Sequence, residues 1–470
     1  MPEFDVAVIG AGAAGLSVTA VAAQLGLRVA LIERNRMGGD CLNFGCVPSK
    51  ALLAAAHASE AARRAGRLGR RLPEPDIDWA ALQAHVHGVI ATLAPTDSEA
   101  RFRALGATVL RGEARFTAPD TLAVDGRRIT ARRIVIAAGG TADVPPIPGL
   151  DRVPHHTNAT LFDLAERPDH LLIVGGGPIG LEMADAFSGL GSRVSVIEAA
   201  TIAGKEDPEL VAGLRDALSA RGVTMLEGTV VTAVEPGPVL VLADGRSIAG
   251  SHLLVAAGRT PNVAALDLPS GNVRAGPAGV ATDGGLRSLT NRRVFAVGDI
   301  ADPQGTGPRA FTHVAAYHAA IVIRRALFRL PARIDYAALP RVTYTNPELA
   351  QVGATEEEAR AAGRKFAVLR WPLPDNDRAI TERDTAGLVK LVVSGDRVIG
   401  AGILAPNAGE MIGLWGLAIA QRVKLSAMAS LIIPYPTRSE AGKRAASSLF
   451  TPRLFAPRTK WLVRLLSRLP

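Results

Sequence analysis

The sequence predicts an α/β fold made of two parallel-sheet domains and a smaller C-terminal α+β domain. Three observations lead to this prediction. The chain of 470 residues contains 48 glycines and 48% hydrophobic residues but only 4% aromatic ones, a composition typical of many tight strand-to-helix turns. A strand, a glycine turn, a helix and a second strand occur twice, at residues 4–33 and 171–198. From residue 335 onward the pattern changes to alternating strands and helices.

The first repeat has the pattern of a nucleotide-binding βαβ unit. Its strand DVAVI runs into Gly10, which permits a tight turn. Gly12 lets the backbone approach a pyrophosphate at the helix N-terminus, and Gly15 lets the helix pack on the strand. Glu33 ends the second strand, where its carboxylate would hydrogen-bond an adenosine ribose. Alone, such a glycine pattern is weak evidence in a glycine-rich chain.

The second repeat makes coincidence improbable. The strand LLIV at residues 171–174 runs into a glycine turn, and 18 residues separate Gly180 from Glu198, as 18 separate Gly15 from Glu33. Two Rossmann-like units in one chain predict one tightly held dinucleotide and one that exchanges.

Both cysteines of the chain lie in the segment GGDCLNFGCVPSK at residues 38–50. Pro48 favours the first turn of an apolar helix, and a helix N-terminus favours thiolate. The spacing therefore indicates a redox-active dithiol. The alternatives are two inert core cysteines or half of a zinc site, but the sequence has no second Cys or His cluster to complete one.

The rest of the chain supplies further elements. We expect one long helix over residues 81–103, a buried strand at 134–137 that enters a glycine turn, and a repeat of that pattern at 253–262. The strand at 294–297 ends at Asp299, where a sugar hydroxyl would lie, and a helix is expected over about 309–328.

Composition limits the class of protein. The sequence has no run of 18 apolar residues, and its first strand begins at Phe4, leaving no room for a signal peptide, so we expect a cytoplasmic protein. The net charge of +9 indicates either a solvated basic surface or an anionic partner. No nucleic-acid motif accompanies the arginines, and we expect no nucleic-acid partner.

Taken together, these motifs resemble the class I FAD-dependent pyridine nucleotide–disulfide oxidoreductases, which include dihydrolipoamide dehydrogenase, glutathione reductase and mercuric reductase. The resemblance extends from residue 4 to about 448. It implies an FAD-binding domain at 1–148 and 271–335, an NAD(P)H-binding domain at 149–270, and a dimerisation domain at 336–450 that forms a homodimer. The tail at 451–470 lies outside it.

The resemblance also implies which residues bind the two cofactors. For FAD these are Gly10, Gly12, Ala13, Ala14, Gly15, Glu33, Gly39, Lys50, Ala138, Gly139, Gly298, Asp299 and His313. For NAD(P)H they are Gly175, Gly177, Ile179, Gly180, Glu198 and Gly258.

For catalysis, the resemblance implies that Cys46 lies next to the flavin and that Cys41 exchanges with substrate. It places Lys50 beside the flavin ring in an ion pair with Glu182, where the cation would stabilise the reduced, anionic flavin. The alternative is that Lys50 and Glu182 are surface charges without a role. No metal site is expected.

Two positions depart from the family pattern. Pro178 stands where disulfide reductases often have a tyrosine that covers the flavin. The sequence YPTRSE at 435–440 has Tyr435 where dihydrolipoamide dehydrogenase and glutathione reductase have an acid–base histidine, followed by the expected Glu440. Mercuric reductase also has tyrosine there, but it adds a C-terminal cysteine pair that this chain lacks.

We therefore expect a flavoenzyme that passes electrons from NADH through FAD to a Cys41–Cys46 disulfide and on to an acceptor. Glu198, with no arginine at residues 199–201, favours NADH over NADPH. The acceptors expected are, in order, a small disulfide or thiol-linked compound, a metal ion such as Hg or Cu, and a quinone or oxygen. A flavin-binding redox sensor without turnover is the alternative from another class.

The tail at 458–469 predicts a basic amphipathic helix, with Trp461, Leu465 and Leu469 on one side and Lys460 and Arg464 on the other. Such a helix either docks on its own or the partner subunit or lies on an anionic membrane.

Overall fold

The computed structural model describes residues 1–469. The chain forms two compact units. Unit 1 consists of Met1–Leu52, Ile77–Arg167 and Leu253–Ile334. Unit 2 consists of Leu53–Asp76, Pro168–His252 and the chain from Asp335 onward. Each unit is therefore assembled from three separate segments of sequence.

The helices and strands are numbered along the chain. Residues 1–167 form β1 (Phe4–Ile9), α1 (Ala13–Gln24), β2 (Val29–Glu33), α2 (Gly39–Asn43), α3 (Cys46–Arg64), α4 (Trp79–Leu93), α5 (Glu99–Ala104), β3 (Thr108–Arg111), β4 (Ala114–Ala118), β5 (Thr121–Val124), β6 (Arg127–Ile136) and β7 (Gly140–Ala142). Residues 168–334 form β8 (His170–Val174), α6 (Pro178–Gly189), β9 (Arg193–Ile197), α7 (Pro208–Ser219), β10 (Val223–Leu226), β11 (Val231–Glu235), β12 (Val239–Leu242), β13 (Ser247–Ala249), β14 (His252–Val255), β15 (Arg259–Pro261), β16 (Ala275–Gly276), β17 (Gly279–Thr282), β18 (Val294–Ala296), β19 (Ala301–Pro303) and α8 (Thr312–Val322). Residues 335–469 form β20 (Pro340–Thr343), β21 (Glu348–Gly353), α9 (Glu356–Ala361), β22 (Ala367–Pro372), α10 (Asp377–Thr381), β23 (Leu388–Ser394), β24 (Arg397–Ala405), α11 (Ala408–Ala420), α12 (Leu425–Ser430), α13 (Glu440–Ser448), α14 (Thr451–Leu454) and α15 (Pro457–Leu466).

A parallel sheet with strand order β3-β2-β1-β6-β18 forms the centre of unit 1. Its inner strands are buried on both faces, which is why they read as continuous apolar runs. Ile9 pairs in register with Ile32 and with Ile136, so β1, β2 and β6 end side by side. The turn at Gly10 and the carboxylate of Glu33 consequently meet at one edge of this sheet.

Unit 2 contains a second parallel sheet segment and an antiparallel sheet. The strands β10, β9 and β8 pair in that order, and Ile197 of β9 pairs with Val174 of β8. The antiparallel sheet has the order β20-β21-β24-β23-β22. Its core includes the buried Leu391 and Ile403, with Trp415 of α11 packed into the same cluster.

Two expected helices have different bounds in the structure. The helix expected over residues 81–103 is interrupted: α4 ends at Leu93, a short turn contains Pro95, and Ser98 caps α5 by accepting a hydrogen bond from the Arg101 N–H. Proline lacks the N–H that a continuous helix requires. The helix expected over 309–328 is α8, which begins only at Thr312 and continues into a wider turn after Val322.

The α/β fold class with a C-terminal α+β region is confirmed. Among residues 1–469, no helix has both the length and the apolar character that crossing a bilayer would require.

Candidate active site

The glycine turn after β1 has the geometry that its sequence predicts. Gly10 has φ +103°, and a Cβ there would lie 2.4 Å from the Ala137 carbonyl oxygen. A Cβ on Gly15 would lie 1.9 Å from the Gly10 carbonyl oxygen, so α1 packs directly on the turn. Gly12 precedes α1 and has no side chain to cap it. The first amides of the helix are therefore free to bind a phosphate group.

Glu33 closes the same turn from the end of β2. Its carboxylate is buried and accepts hydrogen bonds from the Ala11 N–H at 2.7 Å and the Asn35 N–H at 2.6 Å. A pocket beside it is lined by Gly10, Glu33, Gly112, Ala138, Asn262 and Leu266. A nucleotide fits this arrangement, since the glycines leave the backbone bare and the carboxylate stands at the end of the strand.

A chain of charged groups extends from this edge of unit 1 toward the dithiol. Arg259 lies 3.2 Å from a carboxylate oxygen of Asp299 and 3.2 Å from one of Asp40. Burial raises the pKa of Asp299, and the charge of Arg259 partly opposes that rise. Asp40 also accepts a hydrogen bond from the Asn158 side chain at 2.9 Å. The sequence pattern at 253–262 predicts a strand and a glycine turn there but assigns no role to Arg259.

A buried histidine supports the backbone next to Asp299. His318 of α8 accepts a hydrogen bond at Nδ1 from the Gly298 N–H at 3.1 Å, and burial lowers its pKa to about 4. It is therefore neutral at ordinary pH. The predicted His313 lies on the same helix and stacks on Phe311, with ring centroids 5.2 Å apart. The sequence around His318 is that of an apolar helix and does not predict this hydrogen bond.

The two cysteines lie in two consecutive helices. Cys41 lies in the middle of α2, Cys46 begins α3, and both are thiols in this structure. The Cys46 Sγ is 3.3 Å from Thr312 Oγ1. A hydrogen bond to Cys46 and burial raise the pKa of Cys41, so Cys41 is the thiol that keeps its proton. Cys46 is the more exposed of the two, which leaves a free face where the resemblance implies a flavin ring.

The dithiol segment is also in close contact with the first glycine turn. Gly39 has φ +61°, and a Cβ on it would lie 2.7 Å from the Gly12 Cα. The backbone that carries Cys41 therefore runs directly over the predicted pyrophosphate position. Lys50 lies one turn after Cys46 in α3 and is partly buried.

Unit 2 repeats the glycine turn with nearly the same geometry. Gly175 has φ +115°, and a Cβ on Gly180 would lie 2.0 Å from the Gly175 carbonyl oxygen. Glu198 accepts hydrogen bonds from the Gly176 N–H at 2.6 Å and the Ala200 N–H at 2.9 Å, as Glu33 does in unit 1. This site consequently fits a second dinucleotide.

The helix that follows this turn positions the other predicted residues of unit 2. Pro178 occupies the first turn of α6, and Ile179 beside it is partly exposed. Glu182 is buried and accepts a hydrogen bond from the Tyr344 N–H at 3.1 Å. The ion pair of Glu182 with Lys50 stays a prediction.

Tyr435 and Glu440, the candidate catalytic pair at the positions of the family's histidine and glutamate, each bind a different partner. The exposed Tyr435 donates a hydrogen bond to Asp377 at 2.8 Å, and this hydrogen bond raises its pKa. Glu440 instead pairs with Arg444 at 2.9 Å. Asp377 precedes Tyr435 by 58 residues, so no local motif could have identified it.

Within residues 1–469, no three His, Cys, Asp or Glu side chains lie together in a way that would hold a metal ion.

Comparison with known proteins identifies the family. Residues 4–321 match the family described as pyridine nucleotide-disulphide oxidoreductase, and residues 339–446 match the dimerisation domain of the same family. The chain belongs to the pyridine nucleotide-disulphide oxidoreductases. It is thus an FAD-dependent NAD(P)H disulfide oxidoreductase, and its dimerisation domain indicates a homodimer.

Individual relatives cover nearly the whole oxidoreductase chain. A mercuric reductase of Streptomyces lividans is 37% identical over 463 residues, which span 95% of this chain and 96% of the relative. A dihydrolipoyl dehydrogenase of Geobacillus stearothermophilus is 31% identical over 465 residues, 96% and 97% of the two chains. Among solved structures, the Cu(II) complex of the HOCl-induced flavoprotein disulfide reductase RclA from Escherichia coli has a TM-score of 0.85 at 27% identity, and the match covers 96% of this chain and 100% of RclA.

Proposed function

We propose that this oxidoreductase uses NADH to reduce a thiol-binding metal ion, such as Hg(II) or Cu(II), through Cys41 and Cys46. The observation that carries the proposal is the hydrogen bond from Tyr435 to Asp377. A metal ion stood second to a small disulfide in the order expected from the sequence. The order is reversed because Asp377 makes Tyr435 a weaker acid and because the relatives include mercuric reductases and a Cu(II)-bound disulfide reductase.

The proton requirements of the two acceptors differ. Reduction of a disulfide releases a thiolate, and a positioned acid–base group accelerates the proton transfers involved. Tyr435, with its pKa raised above the ordinary value of 10.0, stays protonated at neutral pH and cannot act as the base that an imidazole provides. A thiol-binding metal ion displaces thiol protons directly and needs no such group, since thiolates are its preferred ligands.

The electron balance is simple. The two thiols of Cys41 and Cys46 give up two electrons and two protons as their disulfide forms. These electrons convert one Hg(II) to Hg(0) or two Cu(II) to two Cu(I). NADH and one proton then reduce the disulfide to two thiols and leave NAD⁺, which closes the cycle. A redox sensor that cycles its dithiol without turnover is the alternative, and multiple turnovers on an acceptor would exclude it.

The residues that would hold FAD are those of the first glycine turn, together with Glu33, Asp299 and the backbone at Ala138 and Gly139. Bound there, FAD supplies two-electron transfer between nicotinamide and the dithiol. Lys50 and Glu182 remain the ion pair that the resemblance implies. The domain boundaries we propose are 1–148 and 271–335 for FAD, 149–270 for NAD(P)H and 336–450 for dimerisation.

We also propose a preference for NADH over NADPH. What supports it is Glu198, whose two carboxylate oxygens are fixed by the N–H groups of Gly176 and Ala200. Each oxygen can accept one more hydrogen bond from a ribose 2′-hydroxyl, whereas the negative charge would repel a 2′-phosphate.

A small disulfide such as lipoamide is the second candidate acceptor. The dihydrolipoyl dehydrogenase of Geobacillus stearothermophilus, which aligns over 97% of its length, favours it. The partners we propose are accordingly a second copy of the chain and a small acceptor, without nucleic acid. The cytoplasm is the compartment we propose, since both cysteines belong to the redox pair and none remains for a structural disulfide.

The test is anaerobic NADH oxidation with Hg(II), Cu(II), lipoamide and a quinone as separate acceptors. We expect multiple turnovers with a metal ion and slow turnover with lipoamide. Tyr435→His should raise the lipoamide rate by up to about 10²-fold if geometry allows, because it restores an acid–base group, while Tyr435→Phe should not. Fast lipoamide reduction by the unmodified protein, with no turnover of metal ions, would overturn the proposal.

A further inference from the structure

The tail that follows the dimerisation domain is almost uncovered. All residues of 451–469 except Ala456 and Thr459 are exposed, and α15 has no buried residue. The exposed large apolar side chains of the tail are Leu454, Phe455, Trp461, Leu462, Val463, Leu465, Leu466 and Leu469. An apolar cluster of this size on a protein surface marks an interaction site.

The charged side chains of the tail are all positive, and two of them lie apart from its apolar side. At the four-residue spacing of a helix, Trp461 and Leu465 lie on one side of α15, and Lys460 and Arg464 lie on another. Residues 451–470 contain five Lys or Arg residues and no Asp or Glu. These five cations equal more than half of the net charge of +9.

Within residues 1–469, the cations of α14 and α15 also have no carboxylate partner. Among residues 1–469, the last ion pair along the sequence joins Arg444 to Glu440, before the tail begins. Arg458, Lys460 and Arg464 lie in no ion pair of the described chain. Their charge is therefore available to an external anion.

A second copy of the chain is a poor match for this surface. The region that matches the family's dimerisation domain ends at residue 446, before α14 begins. Another copy also carries a net charge of +9, so it offers the tail repulsion rather than charge complementarity. An apolar side beside a carboxylate-free basic side matches the boundary between anionic headgroups and acyl chains.

We propose that residues 451–470 bind the oxidoreductase to an anionic lipid surface. Trp461 and the leucines of α15 enter the headgroup–acyl boundary, and the cations lie among lipid phosphates. One short helix binds weakly, but a homodimer presents two copies and gains by avidity. This inference goes beyond the proposed function and does not depend on which acceptor is reduced.

The experiment is co-sedimentation of the FAD-loaded protein with lipid vesicles, followed by flavin absorbance. Phosphatidylcholine vesicles are compared with vesicles that also contain phosphatidylglycerol, at low and high salt. We expect binding to the anionic vesicles only, with loss of binding at high salt. A chain ending at Ala456 should not sediment.

Two triple variants with the same net charge distinguish the contribution of the tail from that of the protein's overall charge. Lys460→Glu/Arg464→Glu/Arg468→Glu should weaken binding at least about tenfold, since each cation near an anionic surface contributes to affinity. Arg70→Glu/Arg71→Glu/Arg128→Glu changes the net charge equally at exposed positions outside the tail and should change binding less than about twofold.

Three results would overturn the inference. These are absence of binding to anionic vesicles, equal weakening by both triple variants, and a truncated chain that binds like the full one. If truncation instead abolishes the dimer or lowers thermal stability, the tail docks on protein. NADH oxidation by the same preparations in solution is read separately, so failure of the acceptor proposal is distinguishable.

Discussion

The two glycine turns of this chain are nearly identical in backbone but differ in what surrounds them. In unit 1, a Cβ on Gly39 would lie 2.7 Å from the Gly12 Cα, because the dithiol segment runs over the turn. In unit 2, Gly177 corresponds to Gly12, and a Cβ on it would meet no described atom within 4 Å. The same glycine pattern therefore forms one turn that the dithiol segment covers, called the enclosed turn, and one turn that is uncovered at this glycine, called the open turn.

This difference gives a physical reason for the two roles expected of the dinucleotides. A cofactor held at the enclosed turn would be bounded by the dithiol segment as well as by the turn, whereas one held at the open turn would have no such second segment at Gly177. The enclosed turn suits the FAD that stays bound, and the open turn suits the NADH that exchanges.

Removing either thiol should have the largest effect on acceptor turnover, because the disulfide cannot form without both. Cys41→Ser and Cys46→Ser should each lower acceptor turnover at least about a thousandfold. Half-reduced protein should show a long-wavelength absorbance band that Cys46→Ser abolishes. In Cys41→Ser the band should be present without reductant. Unchanged spectra in both variants would show that the two thiols are wrongly assigned.

Gly→Ala substitutions should affect stability and flavin content at the enclosed turn but not at the open turn. Gly39→Ala places a Cβ against Gly12 at a positive φ, so we expect a loss of about 1–3 kcal/mol in the free energy of unfolding and weaker flavin retention. Gly177→Ala, at the open turn, combines a negative φ with space for its Cβ and should leave stability and flavin content unchanged. Calorimetry and the ratio of flavin to protein absorbance measure both. Equal effects from the two variants would contradict the comparison.

The buried His318 makes the stability of unit 1 depend on pH. Its pKa is about 4 in the folded protein and 6.5 as the ordinary value, so between these values the unfolded chain binds the extra proton. This group's contribution is therefore fully present above pH 6.5 and falls by up to about 3 kcal/mol as the pH decreases to about 4. His318→Asn, which can still accept from Gly298, should flatten this dependence in urea unfolding. A parallel pH curve for both proteins would be the contrary result.

The smallest expected effect is on cofactor choice. Glu198→Ala should lower the kcat/KM ratio of NADH to NADPH by about tenfold, because it removes a charged hydrogen-bond acceptor for the ribose. Glu33→Ala, the matched change in unit 1, should leave that ratio unchanged and weaken FAD retention instead. A ratio that does not respond to Glu198→Ala would contradict the role given to that carboxylate.

Local motifs were predicted well because their constraints are local. Gly10 and Gly175 have the positive φ that their turns require, and Glu33 and Glu198 accept from equivalent backbone N–H groups at the ends of their strands. The sequence also contained the signal for the interrupted helix, since Pro95 cannot continue one.

The groups that could not be predicted are those that the fold brings from distant positions. Asp377 reaches Tyr435 from 58 residues away, and Arg259 joins Asp40 to Asp299 across more than two hundred residues. His318 lies in an apolar helix, where its sequence gives no sign that it accepts from Gly298.

The most direct test of the account is the number of thiols that NADH produces. The chain has only two cysteines, so every new thiol must come from Cys41 or Cys46. Oxidised, FAD-loaded protein is treated with one equivalent of NADH without oxygen and then alkylated under denaturing conditions, and the products are identified by mass spectrometry. We expect labelling to rise from none to both cysteines. NADH consumption with no labelled cysteine would show that electrons bypass the dithiol.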